Sequence, residues 1–186
     1  MNGFLVSSRA IASSLLWLAL SIMACSATPP AHWAQGGMPI ALGQAYWERD
    51  SDLIEILPDG TITENGKERL LIDQVGRVYY KNGDPYALLL PNGHLVGEDN
   101  IGMGEVGPVS ASFPGSAFAW MAIDPAGQLI RYDQDGNEYH DGKWSGCQGP
   151  MSRTCMLVSH VIALGEWQRR PRVGVGVGVG VMMPLN

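Results

Sequence analysis

Three cysteines, Cys25, Cys147 and Cys155, and four histidines, His32, His94, His140 and His160, are the side chains of this chain most able to ligate a metal or attack a substrate. Their spacing argues against both roles. There is no Cys-x-x-Cys, and His140 and His160 stand outside zinc-ligand spacing from the later cysteines. A nucleophile elbow, a serine–lysine pair and a metal-binding histidine pair are all missing from the sequence. Asp133-Gln134-Asp135-Gly136-Asn137 has half the pattern of a calcium loop. The EF-hand register, however, puts Arg131 at the first ligand position and Gly142 at the twelfth, and neither can ligate. A hairpin turn explains Asp135-Gly136, with weak non-EF calcium binding as the alternative. The sequence therefore names no catalytic residue, no metal ligand and no cofactor. A hydrolase would need a site assembled only by the fold.

Aromatic residues are the other candidates for a site. Tyr79, Tyr80, Tyr86, Trp120, Tyr132 and Trp144, with Tyr139 beside them, could form a stripe that binds a small ligand or a glycan. Core or cross-strand packing is the competing explanation for aromatics in strands.

These residues lie in a region, Leu57 to Trp144, that repeats a short phrase. An apolar run is followed by a turn and then Gly-x-aliphatic: Leu57-Pro58-Asp59-Gly60-Thr61-Ile62, Ile72 to Val78, Leu90 to Leu95, and Ile123 to Leu129. The glycines fall at 60, 76, 93 and 127, and Gly104-Glu105-Val106 reads as a degenerate fifth copy. Proline sets the first corner of such a turn, and glycine takes the positive φ that closes it. Second turn signals lie between the glycines, at Asn65-Gly66, Asn82-Gly83, Asp135-Gly136 and Asp141-Gly142. Each unit has room for two short strands. One hairpin cannot bury its apolar face alone, so the copies must share a core. Ala87 to Leu90 is the most apolar strand, and residues 97–116, rich in glycine and proline, read as a long loop with one short strand near Val106.

The N-terminus is of another kind. Arg9 is the only charge in residues 1–24, and Ala10 to Met23 is apolar or small throughout. That suits a signal-peptide core and is short for a membrane span, which needs roughly 20 apolar residues. It ends Ile22-Met23-Ala24-Cys25, which resembles the lipobox of bacterial lipoproteins; Met23 departs from the family's smaller residue. An ordinary secretory signal is the alternative. The resemblance implies cleavage before Cys25, acylation of that cysteine (palmitate among its acyl groups) and, with Ser26 following, sorting to the outer membrane, on its periplasmic side or at the surface. In that oxidising compartment Cys147 and Cys155 are expected to pair as a disulfide. The hairpin region is similar to uncharacterised bacterial lipoproteins with tandem Asp/Asn-Gly hairpins and to β-flower repeats, a group that implies no activity.

The expected organisation is a signal peptide at 1–24, a tether at 25–44 and a β-rich domain at 45–186. The domain holds hairpin repeats over 45–146, an amphipathic helix over 151–170 with Ser152 or Thr154 as N-cap, and a Gly-Val strand over 173–181 packed on the rest of the fold, with a membrane-inserted or self-associating segment as the alternative. The fold class is thus mainly β, a meander or flower-like sheet with one C-terminal helix. Loss of residues 1–24 takes the formal charge from −6 to −7, which disfavours nucleic acid as a partner. The expected function is a lipid-anchored, non-enzymatic interaction or structural module, partnered by the membrane and by a protein or glycan of the envelope.

Overall fold

A computed structural model describes residues 28–133 and 135–169. The Gly-Val segment at 173–181 and Cys25 lie outside the described residues.

Twelve strands follow one another as an antiparallel meander that closes on itself. They are β1 (Ala45–Arg49), β2 (Asp52–Ile56), β3 (Thr61–Glu64), β4 (Lys67–Ile72), β5 (Arg77–Tyr80) and β6 (Pro85–Leu89). Then come β7 (His94–Gly97), β8 (Gly102–Val106), β9 (Ser110–Ser112), β10 (Ala119–Ile123), β11 (Gln128–Tyr132) and β12 (Glu138–Ser145). The seam pairs β1 with β12, Trp47 lying opposite Trp144. The expected hairpin repeats are thus present, and the fold is mainly β with one helix after the last strand.

The repeat phrase builds one end of this barrel by a rule the sequence shows only in part. Gly60, Gly76, Gly93 and Gly127 all have positive φ and close turns onto Leu57, Asp73, Leu90 and Asp124. Each glycine carbonyl then accepts an N–H from a strand of the next hairpin: Ile72 to Gly60, Leu89 to Gly76, Val106 to Gly93, Trp144 to Gly127, at 2.8–2.9 Å. Every turn is therefore stitched to its neighbour around the ring. The fifth copy is not at Gly104, which lies within β8. It is the turn at 107–109, where the Val109 carbonyl accepts from Ile123 N in the same way. Residues 97–116 accordingly hold two strands, β8 and β9, because closing the ring requires every hairpin to be complete. The Asp141-Gly142 turn signal is also corrected. It lies inside β12, where the register against β11 shifts and Gly142 adopts φ +88°.

Along strands such as β1, β2, β5, β7 and β11 alternate residues face inward and form the core, among them Trp47, Ile54, Val78, Leu95 and Leu129, while β6 buries Ala87, Leu88 and Leu89 in succession. A ring of twelve strands is too wide to be filled by its own side chains. The helix α1 (Ser152–Arg169) fills it. Every residue from Thr154 to Leu164 except Ile162 is buried, so no polar stripe faces solvent. The expected amphipathic helix is in this respect wrong: a helix surrounded by sheet must be apolar all round. Ser152 and Thr154 do not cap it by accepting backbone N–H groups; their hydroxyls donate to the carbonyls of Gly149 and Ala41. Cys147 and Cys155 form the expected disulfide, tying the exit of β12 to the first turn of α1.

The segment expected to be a tether is bound from Thr28 onward. Thr28 and Ala31 bond to Asp99 and Asn100, and Arg77 holds the carbonyls of Trp33 and Ala34. Gly37, Met38 and Ile40 then donate to Val75, Leu89 and Gln74 across the stitched end of the barrel. Gly37 permits close approach here: a Cβ on it would lie 2.0 Å from the Leu89 carbonyl oxygen. Residues 36–44 thus cover the end at which α1 begins. The opposite end, where α1 finishes, is the open mouth.

Candidate functional site

The open mouth is built from the alternate turns of the meander, those at 50–51, 65–66, 81–84, 98–101, 113–118 and 133–137. A cavity of about 950 Å³ lies there, between the C-terminal half of α1 and strands β8 to β11. Met103, Phe113, Trp120, Tyr132, Leu164 and Trp167 line it, with Ile101, Phe118 and Tyr139 at the rim. Phe113 stacks on Trp120 at 4.3 Å and meets Trp167 at 5.5 Å, which makes an aromatic wall on one side.

Beneath the wall, polar groups are consumed by structure. His160 is fully buried, not on a polar helix face. Its Nε2 lies 2.7 Å from the Met103 carbonyl, which can only accept, so Nε2 carries the proton. Nδ1 then accepts the Trp120 indole N–H at 2.9 Å. Burial pushes the His160 pKa down to about 4, the Met103 carbonyl opposing this only in part. A neutral, doubly bonded imidazole of this kind has no proton acceptor left for base catalysis. Trp144 is anchored similarly, its N–H donating to Ser159 Oγ, which donates to the Cys155 carbonyl.

One charged cluster borders the cavity. Arg49 grips Glu166 of α1 with two bonds, at 2.5 and 3.1 Å, and reaches Asp141 at 3.1 Å. Arg131 lies 2.5 Å from Asp141 and 3.4 Å from Glu166. Burial raises the Glu166 carboxyl, but the Arg49 bonds and the two guanidinium charges outweigh it and leave its pKa below the usual value. Two arginines and two carboxylates balance in charge. Arg131 is 4% exposed and its Nε has no acceptor among the described residues. Asp141 Oδ2 is near Arg131 in distance yet off hydrogen-bond direction.

No family model, curated protein or solved structure matches this chain.

The six aromatics expected to form one stripe are separated by the barrel. Trp120 and Tyr132 share the mouth cavity. Tyr80 and Tyr86, 4.7 Å apart, line a second groove of about 610 Å³ on the other side of α1, with Lys67, Arg69, Lys81 and Arg169. Burial pushes the Tyr86 phenol up to about 12. Tyr79 is spent on Asp73 and the Trp33 ring, and Trp144 is core. The Asp133 carboxylate is taken up by its own turn, accepting from the backbone of Asp135 and Asn137. Sequence reasoning missed Phe113, Phe118, Trp167 and the Arg49–Arg131–Asp141–Glu166 cluster. One signal was present: Arg131 shares the inward phase of β11 with Leu129, an unusual place for a charge.

Proposed function

We propose that this chain is a non-enzymatic envelope module, lipid-anchored at Cys25, that takes a small apolar molecule into the mouth cavity. The observation that carries the reading is the aromatic wall of Phe113, Trp120 and Trp167 around a volume of about 950 Å³. Ligand sites are typically apolar cavities of this size with few polar groups. Acid–base chemistry is disfavoured by the engagement of two nearby candidates: His160 is neutral and saturated, and Glu166 is clamped by Arg49. The Tyr80–Tyr86 groove is separate and its walls carry four basic side chains, so the six-residue stripe does not act as one glycan platform.

Titration of full-length mature Cys25→Ser protein with the neutral dye N-phenyl-1-naphthylamine tests the reading. Saturable uptake of one dye per chain, weakened several-fold by Trp167→Ala, is expected. No saturable uptake, or uptake indifferent to Trp167→Ala, overturns it.

A further inference from the structure

The exposed large apolar side chains are not scattered. Leu53, Tyr80, Ile101, Phe118, Tyr139 and Trp167 all belong to the mouth end, five on or beside its turns and Trp167 at the end of α1. Only Val109, among the described exposed large apolar residues, lies at the stitched end. Phe118 is 83% and Ile101 64% exposed. Six such residues on one rim are more than singly scattered surface apolars account for.

The chain outside the described residues leaves from the same end. Thr28 is bonded to Asp99 in the turn between β7 and β8, beside Ile101. The apolar stretch Ala10 to Met23 and then Cys25 lie upstream of it, and three residues from Cys25 to Thr28 span at most about 11 Å. At the other terminus α1 ends at Arg169 in this mouth, and the apolar sequence from Val173 to Val181 follows. After cleavage before Cys25, the acylated residue and the apolar C-terminal sequence thus both join the fold at the apolar rim.

We propose that the open mouth docks on a lipid surface, with Phe118, Ile101 and Trp167 entering the bilayer interface. Charge selects the lipid. Among the described residues, acids outnumber bases on this rim: Asp50, Glu68, Asp84, Asp99, Asp133, Asp135 and Glu138 are exposed there, against Lys67, Arg69, Lys81 and Arg169. An anionic headgroup is repelled, so the surface is zwitterionic. Side chains that are one end apolar and one end polar, such as tryptophan and tyrosine, suit that interface. Docking in this pose opens the cavity toward the bilayer.

Flotation of full-length mature Cys25→Ser protein with dioleoylphosphatidylcholine vesicles is the test. Partition is expected, and Phe118→Asp or Ile101→Asp should lower it roughly tenfold, the loss of one inserted large side chain. Val109→Asp, at the opposite end, should leave it unchanged. Replacing a third of the lipid by dioleoylphosphatidylglycerol should weaken it. No partition, an equal loss with Val109→Asp, or tighter binding to the anionic vesicles overturns the proposal. Because Phe118 and Ile101 are so exposed, an unchanged melting temperature separates these losses from misfolding. The dye titration without lipid stands or falls separately.

Discussion

The Trp120 indole N–H points at His160 Nδ1 from 2.9 Å, fixing the imidazole as its Nε2-protonated tautomer. Protonating Nδ1 would destroy that bond inside the core. The folded pKa, near 4, lies below the ordinary value of 6.5. The unfolded chain therefore takes up the proton first as pH falls. His160's contribution is whole above pH 6.5 and is lost progressively down to pH 4, by about 3 kcal/mol in all. Urea denaturation between pH 7.5 and 4 should show this slope, and His160→Gln should flatten it. An unchanged slope in His160→Gln would place the acid sensitivity elsewhere.

Two positive-φ glycines separate the backbone cost of a turn from the cost of stitching. Gly127 has φ +85°, and an added Cβ would lie 2.4 Å from the Trp144 carbonyl oxygen. Gly66, at φ +74°, has open space around it. Gly66→Ala should cost about 1 kcal/mol from φ strain alone. Gly127→Ala should cost at least about 2 kcal/mol more, since backbone must move. Equal midpoints in urea for the two variants would refute the stitched-turn account.

Glu166 holds the last turns of α1 against the barrel wall through Arg49. Glu166→Gln leaves two guanidinium groups facing one carboxylate. The expected loss is about 2 kcal/mol at pH 7, below the 3–5 typical of fully buried pairs because Glu166 is partly exposed. With its pKa depressed, the gap between wild type and Glu166→Gln should persist above the ordinary glutamate value and close as pH falls through the depressed one. A gap independent of pH would show that packing, not charge, holds the helix end.

The disulfide closes a short loop between residues 147 and 155. In the chain-entropy picture that stabilises by roughly 2–3 kcal/mol. A Cys147→Ala, Cys155→Ala double variant should melt correspondingly lower. Mass mapping without reductant should recover the two cysteines in one linked peptide; free thiols in envelope-derived protein would remove the staple.

For the anchor, Cys25→Ser should abolish labelling by palmitate and move the protein from the outer-membrane fraction to the soluble one. Continued labelling in the variant would sink the proposed lipid anchor.

The strands were legible because their signals are local. Pro-Asp-Gly and Asn-Gly mark turns, and the continuous apolar run from Ala87 to Leu90 marks a strand buried at Ala87, Leu88 and Leu89 alike, so these could be placed without long-range knowledge. Ring closure was not legible, since nothing in Trp47 or Trp144 by itself announces its partner. The helix deceived for a related reason. His160, Ser159 and Thr154 look polar in sequence, and only the acceptors contributed by Met103, Cys155 and Ala41 make them core residues. The cavity gathers Phe113, Trp120, Tyr132 and Trp167 from three strand neighbourhoods and the helix, a convergence no spacing encodes.

The β1–β12 seam sets the order of events in folding. Along the meander each strand pairs with the one just made, so contacts up to Ser145 form between close neighbours in sequence. Joining Ala45–Arg49 to Glu138–Ser145 instead brings together segments almost a hundred residues apart, an entropic cost of about 4 kcal/mol by loop-length scaling. The helix that fills the ring follows that last strand, so the wall has no filling until residues beyond Ser152 are in place. The barrel is therefore all-or-none late in its assembly: a chain stopped before Glu138 would leave β1 and β11 as unpaired edges, and one stopped before Ser152 a hollow interior. The same closure, once achieved, leaves neither β1 nor β12 an open edge from which to unravel.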